Sequence, residues 1–184
     1  LVVPVGDIVE TGTYFGTSAA IILRVMKDFD FCHRKLWVFD SFEGLPMPSK
    51  EDRWQGTFGK FNATEDTFKR NMMAAGVYDE ARLVITKGWF RDTCPQSKVE
   101  KIAYLRLDGD LFASTWDAIT ALYAKVVPGG IVYVDDYATY LGCRVAIDTF
   151  RTQNGIYEPI RFVKENEHRR KRMEFEAVWW VKRS

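Results

Sequence analysis

Segments that read as buried β-strands alternate along this chain with segments of helix length. This alternation constrains the fold more than any other feature, because strands separated by helices join into a parallel sheet that helices cover on both faces. We therefore expect one α/β domain with a doubly wound sheet spanning residues 1–184, a length that suits a single core. The predicted helices are Thr17 to Phe29, Thr64 to Ala75, Ser114 to Lys125 and Gly142 to Asn154, and the later predicted strands are Arg82 to Thr86, Ile160 to Val163 and Phe175 to Lys182.

Acidic residues close four of the predicted strands. Glu10 follows residues 7–9, Asp40 follows residues 36–39, Asp108 follows residues 104–107, and the pair Asp135 and Asp136 follows residues 131–134. The carboxyl ends of parallel strands border the ligand crevice of an open sheet. We expect these five carboxylates to line one cleft that binds a cationic group.

A glycine-containing turn follows the first strand. Gly12 and Gly16 allow the backbone to approach a ligand at a helix N-terminus, and Glu10 stands where a dinucleotide fingerprint needs its first glycine. A carboxylate there repels a pyrophosphate and suits an ammonium group. S-adenosylmethionine (AdoMet) fits, because Asp40 can hold its ribose diol and Trp89 offers a surface for its adenine. The alternative is a purely structural strand-to-helix turn.

Three aspartates predict a metal site. Asp108, Asp135 and Asp136 would repel one another in one cleft unless a cation or proton intervened, and carboxylates are ligands that Mg²⁺ prefers. The alternative is that Asp136 caps a turn and Asp135 pairs with Arg144 or another base. Asp110 either contacts cofactor or substrate, or hydrogen-bonds the backbone of its own turn.

A long irregular stretch runs from Glu43 to Asn62 and carries prolines, glycines and aromatic residues that include Trp54. Loops of this length in a compact domain are usually functional, so we expect a lid over the site. The alternative is a disordered surface insertion.

Composition narrows the classes of partner. The 26 basic and 25 acidic residues nearly cancel, which argues against attraction to nucleic acid or to a membrane surface. The basic run at residues 168–172 is the one feature that favours nucleic acid, and a solvated loop is the simpler interpretation. The three cysteines fit neither a disulfide framework nor a zinc site, so we expect a cytoplasmic protein without a membrane span.

Five motifs resemble those of the macrocin O-methyltransferase family, of the TylF/MycF type. They are residues 8–12 (IVETG), 39–46 (FDSFEGLP), 87–90 (KGWF), 105–115 (LRLDGDLFAST) and 128–137 (PGGIVYVDDY). The resemblance implies a Rossmann-like class I methyltransferase with strand order 3-2-1-4-5-7-6, AdoMet as donor and Mg²⁺ as activating ion. It implies that Asp108, Asp135 and Asp136 hold the metal and that Asp108 is a candidate base. Together with the residues of the glycine turn, the predicted cofactor contacts are Glu10, Thr11, Gly12, Tyr14, Thr17, Ser18, Asp40, Ser41, Gly88, Trp89, Phe90 and Asp110.

The hypothesis from sequence is methyl transfer to a hydroxyl group of a sugar or other natural product. Family members carry helical sequence ahead of the first strand that contributes to the substrate pocket and to dimer contacts, and we expect that this segment is missing here. The acceptor, a hydroxylated small molecule, and a homo-oligomeric state are therefore expectations from family alone. The alternatives are another small diol or catechol-like acceptor and a non-catalytic AdoMet-binding module.

Overall fold

One mixed sheet organises the molecule. The computed structural model describes residues 4–29, 33–53, 56–164 and 175–183. The seven strands in these residues follow the order β3-β2-β1-β4-β5-β7-β6, and β7 runs antiparallel to its neighbours β5 and β6 while the other adjacent pairs are parallel. This confirms the expected fold class and strand order. The strands are β1 (Asp7–Thr11), β2 (Leu36–Asp40), β3 (Leu83–Lys87), β4 (Ile102–Leu107), β5 (Val126–Val134), β6 (Arg161–Lys164) and β7 (Phe175–Val181).

Five α-helices connect the strands within the described ranges, and each predicted helix is present with shifted ends. They are α1 (Thr17–Asp28), α2 (Glu65–Ala74), α3 (Phe90–Thr93), α4 (Phe112–Leu122) and α5 (Leu141–Gln153). Thr64, the first residue of the predicted helix, caps α2, since its side chain accepts a hydrogen bond from the backbone N–H of Thr67. The predicted Ser114 to Lys125 helix begins two residues early and ends as a 3-10 turn at residues 123–125.

Two apolar cores lie on opposite faces of the sheet. Successive residues of a strand point to opposite sides, and in β2 Val38 packs in the core with α1 and α2 while Phe39 packs in the core with α4 and α5. Both side chains are fully buried. The double layer of helices leaves the carboxyl ends of the central strands open at one edge, where the site forms.

Pro128, Gly129 and Gly130 lie within a strand, although proline and glycine are typical of turns. These residues belong to β5, where the pairing with β4 shifts from Ile102 opposite Val126 to Tyr104 opposite Ile131. The residue after β7 supplies partners at this bulge: the Gly129 N–H donates to the Lys182 carbonyl at 2.7 Å, and the Lys182 N–H donates to the Gly130 carbonyl at 2.9 Å. The sequence does not show that a neighbouring strand reaches this far.

The described part of the long loop is ordered by its own contacts, so the alternative of a disordered insertion was wrong there. The Leu45 N–H donates to the Lys60 carbonyl at 2.8 Å and the Gly59 N–H donates to the Leu45 carbonyl at 2.9 Å. A 3-10 turn at residues 50–52 interrupts the loop. Trp54 and the basic run at residues 168–172 lie outside the described residues, as does Cys32.

In the part of the chain that the structure describes, no helix has both the length and the apolar character needed to cross a bilayer.

Candidate active site

A cavity of about 590 Å³ opens at the carboxyl ends of β1, β2, β4 and β5. Its volume lies in the range of small-molecule sites. Nine of the residues predicted from sequence line it: Gly12, Tyr14, Asp40, Ser41, Trp89, Phe90, Asp108, Asp110 and Asp136. The other predicted residues, which lie behind or beside this wall, are Glu10, Thr11, Thr17, Ser18, Gly88 and Asp135.

Asp40 holds the glycine turn in place. One carboxylate oxygen, Oδ2, accepts hydrogen bonds from the backbone N–H groups of Thr13 at 2.7 Å and Tyr14 at 3.2 Å. The other, Oδ1, accepts from the N–H of Phe42 at 2.7 Å. An ionised carboxylate offers about four acceptor positions, so roughly one stays free to meet a ligand hydroxyl.

Gly12 brings the turn against β4. Its φ is +81°, and a Cβ at this position would lie 1.7 Å from the carbonyl oxygen of Asp108. Any other residue would therefore push the two strand ends apart. The contact explains why the glycine turn and the acid cluster share one cavity.

Glu10 lies beneath the turn. Its side chain is 0 % exposed and accepts a hydrogen bond from the Thr13 hydroxyl at 3.2 Å. Burial raises its pKa to about 7, against the opposing effect of the Arg106 guanidinium. Direct contact between Glu10 and a cofactor stays a prediction, since the structure gives this carboxylate protein partners.

The predicted metal ligands meet. Asp108, Asp135 and Asp136 each offer a carboxylate oxygen, and these three atoms all lie within 4.8 Å of one another. Neighbouring residues of a strand point to opposite faces, and Asp135 and Asp136 can both take part because β5 ends at Val134 and the chain turns there.

Arg106 supplies a cation that the sequence analysis did not identify. Its guanidinium lies 2.5 Å from Asp108, 3.1 Å from Asp135 and 3.3 Å from Glu10, and its side chain is 12 % exposed. The predicted alternative of an ion pair at Asp135 is thus realised together with the acid cluster. Arg144 is not the partner, because its Nε donates to the Tyr137 carbonyl at 3.2 Å.

The carboxylates in this cluster nevertheless outnumber the one guanidinium that contacts them. Burial raises the pKa of Asp136 well above its ordinary value, and the neighbouring carboxylates of Asp108 and Asp110 raise it further. The Asp136 side chain is 6 % exposed, and its Oδ2 accepts the Asp110 N–H at 3.1 Å. Oxygen donors at this spacing, with one arginine for several carboxylates, fit a divalent cation such as Mg²⁺.

Aromatic residues form the outer wall of the cavity. Tyr14 packs edge-on against Phe61 with ring centroids 5.7 Å apart, and Trp89 and Phe90 line the wall where β3 ends. Tyr14, Phe61 and Asp110 have positive φ values of 49°, 61° and 58°. Such strained backbone in non-glycine residues tends to cluster at functional sites.

Two ionisable residues with structural contacts around the site were not predicted from the sequence. The sequence does contain a signal for Arg106, because a charged residue inside a buried strand needs a partner of opposite charge. For Asp52, in the long loop, it contains none. Its carboxylate accepts the N–H of Phe112 at 2.8 Å, a contact across 60 residues of sequence.

Comparison with known proteins places this geometry in context. The sequence model of the family described as "Macrocin-O-methyltransferase (TylF)" matches residues 2–170. The demethyldecarbamoylnovobiocin O-methyltransferase of Streptomyces niveus is 35 % identical over 162 residues, which are 84 % of this chain and 62 % of that protein. The mycinamicin III 3''-O-methyltransferase of Micromonospora griseorubida is 33 % identical over 164 residues, covering 84 % and 64 %. The chain therefore spans less than two thirds of the length of these relatives.

Solved structures agree with the fold. The O-methyltransferase NovP superposes with a TM-score of 0.82 at 31 % identity, covering 99 % of this chain and 73 % of that one. The calicheamicin methyltransferase CalS11 superposes with a TM-score of 0.74 at 20 % identity, covering 96 % and 72 %, which speaks to the fold alone.

Proposed function

Because this chain belongs to the macrocin O-methyltransferase (TylF) family, we propose that it transfers the methyl group of AdoMet to a hydroxyl group of a sugar or other natural-product acceptor. One observation carries the proposal: the glycine turn at Gly12 and the carboxylates of Asp108 and Asp136 open onto the same cavity. A cofactor turn alone suits many binding proteins, whereas a cofactor turn facing an acid cluster suits activation of a hydroxyl group.

The donor side of the cavity is assigned to the strand ends of β1, β2 and β3. The backbone at Gly12 and Tyr14, the free acceptor position of Asp40 and the rings of Trp89 and Phe90 would hold AdoMet. Acidic side chains around the cavity suit a positively charged sulfonium. The predicted cofactor residues behind the wall would act through the turn that they support, as Glu10 does through Thr13.

Asp108, Asp135 and Asp136 would hold a divalent cation, which we take to be Mg²⁺. When bound, such an ion lowers the pKa of a coordinated hydroxyl group and orients neighbouring oxygens. Arg106 holds the carboxylates of Asp108 and Asp135 in position by pairing with both.

In the methyl-transfer step, the acceptor oxygen attacks the methyl carbon in line with the bond to sulfur. The carbon–oxygen bond forms as the carbon–sulfur bond breaks, and the sulfonium becomes a neutral thioether. Asp108 takes the hydroxyl proton, consistent with its place at the cavity wall. The loop from residue 43 to 62 contributes Leu45, Pro46 and Phe58 to the same wall and so limits access of water.

Two measurements test this function. Calorimetry should detect AdoMet binding, and incubation with methyl-labelled AdoMet and a panel of glycosylated diols should give a product heavier by one methyl group. Asp108→Asn should bind AdoMet and lose product formation. Binding without turnover on any acceptor would favour the alternative of a non-catalytic module, and failure to bind AdoMet would exclude both.

We also propose a cytoplasmic location and a small-molecule acceptor in place of nucleic acid. The thiols of Cys94 and Cys143 are buried and free, which suits a reducing compartment. A homo-oligomeric state stays a prediction from family.

A further inference from the structure

Asp52 is a buried carboxylate that the proposed chemistry does not use. Its side chain is 1 % exposed although it belongs to a surface loop. Oδ1 accepts the Phe112 N–H at 2.8 Å, and Oδ2 accepts the N–H of Ser49 at 2.7 Å and the Ser49 hydroxyl at 2.9 Å. A buried charge held in this way is stabilised by its hydrogen bonds and by the positive end of α4, which begins at Phe112.

Gly142 provides the space for this carboxylate. A Cβ at residue 142 would lie 1.8 Å from Asp52 Oδ1 and 2.9 Å from the Phe112 nitrogen. Asp52 therefore lies between the first turns of α4 and α5. No larger residue fits at position 142 while Asp52 keeps its bond to α4.

These two helices follow the strands that carry the acid cluster. Asp108 lies between β4 and α4, and Asp135 and Asp136 lie between β5 and α5. The residues that would bind metal and the residues that hold Asp52 thus belong to the same two connections. A displacement of the start of α4 or α5 would therefore also displace the aspartates at the other end of the same connection.

The loop that Asp52 anchors contributes apolar side chains to the same cavity that Asp108 and Asp136 line. Its first arm places Pro46 and Met47 at the cavity, and its second arm places Phe58 and Phe61 there. A second contact supports the anchor, since a Cβ at Gly56 would lie 2.7 Å from the side chain of Leu111, the residue before α4.

We propose that Asp52 is a positioning residue that fixes this loop against α4 and α5 and thereby sets the distance between the apolar wall and the acid cluster. It acts through the loop and touches no reacting group. The anchoring follows from the contacts alone, whereas its effect on the acceptor rests on the proposed function.

The anchoring is tested by limited trypsin digestion of the full chain, because Lys50, Arg53 and Lys60 are exposed cleavage sites within the loop. Asp52→Asn leaves one acceptor oxygen for two N–H groups, so the amide nitrogen must face either Ser49 or Phe112. Gly142→Ala pushes the Asp52 carboxylate away from the start of α4, while alanine itself suits α5. Both variants should be cut in the loop about tenfold faster than wild type, as expected for the loss of a charged hydrogen bond. The control Glu43→Gln, an exposed acid of the same loop, should be cut at the wild-type rate.

The two variants disturb the anchor from different elements, Asp52→Asn from the loop and Gly142→Ala from α5. A folding defect in one variant therefore leaves the other to test the anchor. Circular dichroism and melting confirm that the variant compared is folded. Wild-type cleavage rates in both Asp52→Asn and Gly142→Ala would overturn the anchoring.

The effect on the acceptor is read as a split between KM and kcat. With an acceptor found for the wild type, both variants should raise the acceptor KM about tenfold and change kcat and AdoMet affinity much less. If cleavage is faster but the acceptor KM is unchanged, the role of Asp52 in acceptor positioning would be overturned, while its role in anchoring the loop would stand. Absence of turnover in the wild type would instead count against the proposed function, and the cleavage rates would still decide the anchor.

Discussion

Arg106 Nη2 lies 3.1 Å from Asp135 Oδ1, so a largely buried ion pair joins the carboxyl ends of β4 and β5. The same guanidinium reaches Asp108 on its own strand end and Glu10 on β1. A single side chain thus holds together acids from three neighbouring strands. In the absence of this cation, their mutual repulsion and their burial would oppose the fold.

Arg106→Met should reduce the free energy of unfolding by about 3 kcal/mol near neutral pH, because it leaves buried carboxylates unpaired. Burial holds the pKa of Glu10 near 7 and raises that of Asp108, so both favour the protonated form in the fold. An acid whose pKa is raised by folding destabilises the native state as pH rises from its unfolded pKa. The deficit of the variant should therefore be small at pH 5 and grow toward pH 8.

Urea denaturation at both pH values measures this effect. Arg24→Met, which breaks only the exposed pair with Asp28, should cost less than about 0.5 kcal/mol at either pH. An Arg106→Met deficit that is equal at pH 5 and pH 8 would contradict the assignment.

Gly12→Ala should abolish AdoMet binding and lower stability by more than about 2 kcal/mol, because its Cβ would overlap the Asp108 carbonyl. Gly76→Ala is the matched control. Gly76 also has a positive φ, +68°, but open space surrounds its Cβ position, so only backbone strain of about 1 kcal/mol is expected. Calorimetry with AdoMet and thermal melts of both variants compare them. Equal AdoMet affinity in the two variants would show that the close approach is irrelevant to binding.

Asp40→Asn should weaken AdoMet binding about tenfold, since an amide cannot accept all three backbone N–H groups that the carboxylate now holds. Isothermal titration gives the affinity. Asp28→Asn, far from the cavity, should bind AdoMet like the wild type, and a similarly unaffected Asp40→Asn would remove Asp40 from the donor site.

Cys94 and Cys143 should resist alkylation in the native protein. Burial raises the pKa of the Cys94 thiol to about 12 and that of Cys143 well above its ordinary value, so almost no thiolate exists at pH 8. Peptide mass spectrometry after iodoacetamide treatment should find both thiols unmodified until guanidinium is added. Rapid labelling of either thiol in the native protein would show that the core around that cysteine opens readily.

The sequence predicted what depends on local pattern and on strand topology. Acids placed after buried strands converge because parallel strands end at one edge, so Asp108, Asp135 and Asp136 could be brought together without coordinates. The early start of α4 could not be predicted, because the first N–H of this helix, that of Phe112, donates to Asp52, which belongs to a loop distant in sequence. Glu10 was predicted in the wall, but its side chain is fully buried and pairs with Arg106, a partner that was not identified from the sequence.

The central claim is that the clustered aspartates form a divalent-metal site beside a separate AdoMet site. Titration of the protein with Mn²⁺, followed by electron paramagnetic resonance, tests it directly on the wild type and on Asp136→Ala. The account predicts one bound ion per wild-type chain, no detectable binding in the variant, and unchanged AdoMet affinity in both. Equal Mn²⁺ binding by the two proteins, or none by the wild type, would contradict it.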